Sequence, residues 1–387
     1  GRDRRQRQMC IRDRSRGVYI REAAQNCFFS IAHSDEDIAF VTKIIKEGIA
    51  EMQTAGFLAK PGEALVVGGA TTTIAADKKG RLQPGDRIPL TESQREIWLA
   101  LEIDAEAAPA YNQAFTMRLK GEVDVDKLRK SVQTIYARHE SFHLRFERGG
   151  ESQVMDEVKP LDIPLVDLSG EGADAREARA LELQKSLAAE GFDPETGPMM
   201  RMQILKLASD LHVMVFVMHH LISDGWSSVV FLEEMGQAYN ALQKGEKLVL
   251  PEPKPFSDYA VDQVNAAGSD EVMAARRYWK SMYETIPPPL ELPTDHPRPA
   301  KRSFDGATMH WAFSEVACRA AKDAAKAQGV TLFATLFAAF NVMVSRLAGV
   351  NDLAVGIPVA GQAAVGENEL FGHCVNLLPL RTQINED

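Results

Sequence analysis

A mixed α/β (α+β) fold is what this sequence predicts, on three observations. Short apolar runs rich in Val and Phe, such as residues 211–218, read as buried strands. Between them lie longer stretches with apolar residues at three- and four-residue spacing, the pattern of an amphipathic helix. No segment repeats at a fixed period.

Taken in order, residues 1–17 are dense in Arg and lack apolar periodicity, so they read as a disordered or non-native tail and are set aside. In residues 18–57, a short strand at 26–33 is followed by Ser34 as an N-cap, with Asp35, Glu36 and Asp37 in the first turn. Ile38, Val41, Ile45, Ile49 and Met52 then form a helical stripe that ends near Gly56. Residues 58–86, with Gly, Thr and scattered charges, read as a linker. Beyond it, Gln94 and Trp98 share one face of a helix. A strand is expected at 110–119, a helix at 123–139 with Leu128, Val132 and Ile135 inward, a pair of strands within 154–166 and a helix at 173–190. Residues 199–207 and 211–218 make a hairpin about Ser209-Asp210. A helix over 226–242 carries Val229, Val230, Leu232, Met235, Tyr239 and Leu242 at helical spacing. Pro-rich connections at 251–255 and 287–299 precede helices at 314–329 and 332–347 and strands at 353–359 and 375–380.

Composition narrows the classes of function. The chain has 387 residues, a quarter of them charged, and a net charge of −10. That argues against a nucleic-acid partner, which needs a basic footprint. Four scattered cysteines, Cys10, Cys27, Cys318 and Cys374, lack pairing or ligand spacing and fit reduced thiols of the cytoplasm. No apolar run approaches the roughly 18 residues of a membrane span, so no membrane partner is expected.

Chemistry is concentrated where the strand 211–218 gives way to the helix 226–242, in His219-His220-Leu221-Ile222-Ser223-Asp224-Gly225-Trp226. Successive strand side chains point to opposite faces, so only one of the two histidines faces a given pocket. A neutral imidazole there can accept a proton, its ordinary pKa being about 6.5. Asp224 suits an anchoring role through pairing with an Arg. Gly225 suits an unusual backbone conformation or the close approach of a ligand. A metal site is the rival reading of His-His-x3-Asp, against which adjacent strand histidines diverge and no Cys lies close.

The His-His-x3-Asp-Gly pattern, His219 to Gly225, resembles the signature of the condensation-domain superfamily of nonribosomal peptide synthetases, and its flanks extend the likeness. Thr91-Glu92-Ser93-Gln94 through Trp98 resembles the family's opening motif, and Arg138-His139-Glu140 through Phe146 its second, with His143 where a second Arg is usual. Phe256-Ser257-Asp258-Tyr259-Ala260, Val355 to Gly361 and Phe371 to Arg381 resemble three later ones. The resemblance implies a two-lobed, chloramphenicol-acetyltransferase-like fold. Residues 87–290 would form the N-lobe and 291–387 a partial C-lobe, with later motifs missing and a hinge near 291–299. It further implies amide-bond formation between an acyl thioester and an aminoacyl amine, held on the phosphopantetheine of upstream and downstream carrier domains. His220 would accept a proton from the amine or orient it; His219, Asp224 and Gly225 complete the catalytic loop. Arg138 is expected to pair with Asp224, though it could instead be a solvated helix end. Ser223, Trp226 and Asn376 are expected along the substrate channel. No cofactor and no metal are expected in this region. Rival readings are epimerisation or ester formation by the same superfamily, and a non-catalytic carrier-docking domain.

The run Phe28 to His33, followed by Asp37-Ile38 and a helix, resembles the C-terminal end of glutamate-1-semialdehyde-type aminotransferases. Pyridoxal phosphate would belong only to the body of such a domain, upstream of this sequence. An aminotransferase before a condensation domain is an order that hybrid polyketide–peptide synthetases use.

Overall fold

The computed structural model describes residues 80–299, 303–304, 306–309 and 311–385. The tail, the aminotransferase-like piece and most of the linker therefore lie outside the described residues. The chain divides into two compact units. One takes residues up to Val264 together with Glu369–His373; the other takes Asn265–Asn368 and Cys374–Asp387. The changeover expected at 290–291, and the hinge beside it, fall inside the second unit.

The first unit begins with strand β1 (Arg87–Pro89) and helix α1 (Glu92–Ile103). Thr91 starts this helix with a capping box: its hydroxyl accepts from the Gln94 N–H, while the Gln94 carboxamide oxygen accepts from the Thr91 N–H. Strand β2 (Asn112–Lys120) and helix α2 (Val125–Arg138) follow, then short strands β3 (Leu144–Phe146), β4 (Ser152–Met155) and β5 (Leu165–Asp167), and helix α3 (Ala173–Ala189). The expected hairpin is β6 (Met200–Ala208) and β7 (Leu211–His219); helix α4 (Gly225–Lys244) and helix α5 (Phe256–Ala266) come after it.

The main sheet has the order β2-β7-β6-β5, with β5 parallel to β6 and the other pairs antiparallel. Strand β7 is central, and its alternate residues feed two cores, as a sheet covered on both faces requires. Met214, Phe216 and Met218 meet Leu128, Val132 and Ile135 of α2 and Val230, Phe231 and Met235 of α4. Val213 and Val215 meet Ala180 of α3. Val229, one of the apolar residues at helical spacing, is 54% exposed. The stripe that α4 buries runs through Ser227, Phe231, Glu234 and Ala238, and so includes a carboxylate.

The strand pair expected within 154–166 is not formed. Val154 belongs to β4, in a separate sheet of order β1-β4-β3, whereas Leu165 opens the edge strand β5 of the main sheet. Pro160 and Pro164 lie between them, and residues without an N–H cannot extend a ladder.

The second unit holds helices α6 (Asp270–Met282), α7 (Glu315–Ala327) and α8 (Leu332–Ala348), the last two capped by Ser314 and Thr331. A hairpin of β8 (Asp352–Ala360) and β9 (Val375–Gln383) follows, with the short α9 (Gly361–Val365) between its strands. Arg381 on β9 ties the hairpin to α6 by donating to Asp352 at 2.8 Å and to the Met282 carbonyl at 2.7 Å. Among the described residues no single helix is long and apolar enough to cross a membrane.

Candidate active site

Strand β7 delivers His219 and His220 to the start of α4, and the two rings have different fates. His219 is fully buried, packed between Tyr111 and Phe192 with ring centroids 6.2 and 6.0 Å away. Its Nδ1 accepts from the Leu221 N–H at 3.1 Å, which makes the neutral ring carry its proton on Nε2. Burial, reinforced by the positive charge of His220, His373 and Arg201, pushes its pKa down to about 3. His219 is thus a buried, neutral wedge beneath the loop.

His220 is half-buried. Its N–H donates to the Tyr111 carbonyl at 2.9 Å, so the β2–β7 pairing runs on past the strand end. Its Nδ1 lies 3.1 Å from the Ser223 carbonyl oxygen. A carbonyl only accepts, so Nδ1 carries the proton and Nε2 keeps its lone pair. The carboxamide nitrogen of Gln113 donates to that lone pair at 3.0 Å. Burial holds the imidazole below the ordinary histidine value, against the opposing pull of the Ser223 carbonyl and the Asp224 charge. The ring is therefore neutral at pH 7 and oriented as a proton acceptor.

The loop is fixed by groups from distant parts of the chain. Gln94 of the opening motif donates to the Leu221 carbonyl at 2.8 Å and is locked by a reciprocal amide pair with Gln153. Trp98, one turn on, is buried and stacks on Phe146. Ser223, expected along a channel, is fully buried: its carbonyl holds His220, and its hydroxyl reaches the Gln113 oxygen at 3.1 Å and the His219 carbonyl at 3.2 Å. Asp224 is the N-cap of α4, accepting from the N–H and hydroxyl of Ser227, both at 2.8 Å.

Arg138 does not make the expected ion pair with Asp224. Its guanidinium pairs with Glu234 on α4 at 3.2 Å and donates to the Pro251 carbonyl. Glu234 also takes the His139 Nε2 at 2.7 Å. Glu140 accepts from Leu82 N–H at 2.8 Å and from the Ser257 hydroxyl at 2.9 Å, which joins this motif to α5. The second motif is thus a brace on α4 and α5. It steadies the loop through the helix that follows it.

Gly225 and Trp226 lie exposed at the start of α4. The backbone at Gly225 is not left-handed, and a Cβ there would meet nothing within 4 Å, so neither backbone nor packing demands a glycine. Asn376 is half-buried on β9, opposite Val359, in the second unit.

Two residues were missed as partners of this site. Gln113 sits on β2, where alternation alone makes it one more half-buried position; the signal lies in the register, which makes it the diagonal neighbour of His220. His373 is buried, and its ring stands edge-on to His220 at 5.3 Å. Burial, then the charge of His220, pushes its pKa down to about 4. Its segment is held by main-chain contacts: Ser141 Oγ donates to the Phe371 carbonyl at 2.9 Å, and Ser227 Oγ lies 2.9 Å from the Gly372 carbonyl and 3.1 Å from the Gly372 nitrogen.

The arrangement is a neutral, half-exposed imidazole with an oriented lone pair, on a loop pinned at each turn. Residues 85–387 match the family described as condensation domain. Chondramide synthase cmdD of Chondromyces crocatus is 34% identical over 316 residues, which is 81% of this chain and 8% of that protein. Malpinin synthetase of Mortierella alpina is 32% identical over 303 residues, 77% of this chain and 4% of that one. The chain therefore spans less than a tenth of the length of either relative. Among solved structures, the first condensation domain of the calcium-dependent antibiotic synthetase is similar with a TM-score of 0.67 and 21% identity, covering 77% of this chain and 70% of the other. The X-domain in its complex with OxyB from teicoplanin biosynthesis gives 0.67 and 21%, covering 80% and 68%. Fold, motif order and the family match agree, and this chain belongs to the condensation-domain family of the nonribosomal peptide synthetases.

Proposed function

We propose that this condensation domain catalyses amide-bond formation between an acyl thioester and an aminoacyl amine, each carried on the phosphopantetheine of a carrier domain. The observation that supports it most is the Nδ1–H of His220 held by the Ser223 carbonyl, which commits Nε2 to accepting. The amine nitrogen attacks the thioester carbonyl, and its proton passes to Nε2 of His220. Collapse of the tetrahedral intermediate breaks the carbon–sulfur bond, and the leaving thiolate takes the proton back. General base catalysis of this kind contributes about 10²–10⁴-fold, and holding two tethered reactants together supplies much of the rest. Asp224 and Arg138 act on the geometry of the loop and of α4. Trp226, exposed beside the loop, and Asn376 remain candidates for substrate contact. The test is His220→Ala in the full chain, supplied with carrier-bound donor and acceptor: the rate should fall by about 10²–10⁴ while the fold persists. An unchanged rate would remove His220 from the chemistry.

The finer setting is inferred as well. The Phe28–His33 motif supports residues 18–57 as the end of an aminotransferase-like domain, and sequencing the upstream gene tests it. A cytoplasmic setting is supported by four cysteines scattered without pairing or ligand spacing.

A further inference from the structure

Gln113 closes a ring of hydrogen bonds around the catalytic imidazole. Its carboxamide nitrogen donates to His220 Nε2 at 3.0 Å, its oxygen accepts from the Ser223 hydroxyl at 3.1 Å, and the Ser223 carbonyl accepts from His220 Nδ1 at 3.1 Å. That arrangement serves the neutral ring. Once Nε2 gains a proton it becomes a donor, and the Gln113 N–H is then the wrong partner.

The same atoms hold a second consistent arrangement. A carboxamide turned end for end exchanges O and N at nearly equal positions. The Gln113 oxygen would then accept from His220 Nε2–H, and its nitrogen would donate to the Ser223 hydroxyl. That hydroxyl has its own acceptor ready, the His219 carbonyl at 3.2 Å. No atom beyond the carboxamide and one hydroxyl hydrogen has to move. The titratable groups nearby differ in kind: His219 on β7 and His373 in the 369–373 segment are rings held neutral, and Asp224, whose charge raises the His220 pKa, caps α4.

We propose that Gln113 is a positioning residue for the condensation reaction: its amide presents a donor to neutral His220 and, by exchanging ends, an acceptor to the imidazolium. This rests on His220 as the proton acceptor. An incoming amine N–H displaces the Gln113 N–H from the Nε2 lone pair, the proton transfers, and the turned amide holds the imidazolium until the leaving thiolate reclaims the proton.

The test compares full-length wild type with Gln113→Leu, which can neither donate nor accept, and Gln113→Glu, which as a carboxylate only accepts. The imidazole nitrogens are labelled with 15N and followed by NMR across pH, beside kcat and KM with carrier-bound donor and acceptor. The His220 titration should move up by one unit or more in Gln113→Glu and down in Gln113→Leu. In Gln113→Leu, kcat should drop tenfold or more with KM within twofold. Coincident titrations in the three proteins would overturn the proposal whether or not they turn over. Shifted titrations with unchanged kcat would overturn the role in the reaction. His220→Ala with full activity would instead sink the function of His220, and the titrations would still report on the coupling to Gln113.

Discussion

His220 and His139 occupy two buried polar clusters of the same unit, and they differ in what faces them. His139 meets a carboxylate: its Nε2 is 2.7 Å from Glu234, which also pairs with Arg138 at 3.2 Å. The ring of His220 hydrogen-bonds only to neutral dipoles, the Ser223 carbonyl on one nitrogen and the Gln113 amide on the other. In this cluster His139 is a strut, one of two partners that hold the buried Glu234 carboxylate. A histidine between neutral dipoles can gain and lose a proton at modest cost. The comparison teaches that the proposed acid–base group is the one with no carboxylate bonded directly to its ring.

Exchanging the two roles is the sharpest way to break this comparison. His220→Ala should lower turnover by about 10²–10⁴ and leave the urea midpoint nearly unmoved. His139→Ala should do the reverse, losing stability while keeping the pH dependence of turnover. Matching effects in both assays would erase the distinction.

Glu234→Ala comes next. Both partners of this carboxylate stay behind, so about 3 kcal/mol of stability should go, the lower end for breaking a buried pair because Arg138 is 16% exposed. Urea denaturation measures it, and a loss below about 1 kcal/mol would mean that water replaces the carboxylate freely.

Acid should unfold the protein earlier than its carboxylates alone require. The folded-state pKa of His219 lies near 3 and that of His373 near 4, both below the ordinary 6.5. Between those values the unfolded chain binds more protons, so stability falls as pH drops, by up to about 1.4 kcal/mol per pH unit for each ring. The contribution is fully present above about 6.5 and is lost on the way down through the folded values. His219→Gln should flatten that slope; an unchanged slope would show that the ring is not held neutral. Turnover should likewise decline as pH falls through the depressed His220 value.

The smallest effect is expected at Asp224. Asp224→Ala removes the cap from α4 and should cost about 1–2 kcal/mol, read from the thermal midpoint. The Arg138 brace on the same helix limits the damage.

How much of this was legible in the sequence depended on distance along the chain. Strand β7, the loop and α4 were readable because a buried-strand pattern, a polar loop and a helical pattern follow one another within about 30 residues, whereas the N-cap role of Asp224 was not read. The β6–β7 hairpin was readable from Ser209-Asp210 between two apolar runs. The partner of Arg138 was not. Asp224 belongs to the conspicuous motif, but Glu234 is the carboxylate on the inward stripe with Phe231 and Ala238. A charged residue at helical spacing among apolar ones was the available signal. Gln113 lies 107 residues before His220, and only strand register brings the two together. The strand pair expected over 154–166 failed because apolar runs do not announce which sheet they join.

The hydroxyls of Ser141 and Ser227 reach the 369–373 segment through main-chain atoms of Phe371 and Gly372. The path of that segment is therefore set by main-chain bonds, by the buried Phe371 ring and by a Gly372 that leaves room for Phe256, and none of these involves the side chain at 373. Whatever residue stands at position 373 is carried to the same spot beside the His220 ring, like a tile in a fixed frame. Exchanging His373 for a phenyl or thioether side chain would alter the polarity next to the base while the frame stays put, which makes position 373 a dial for the catalytic environment.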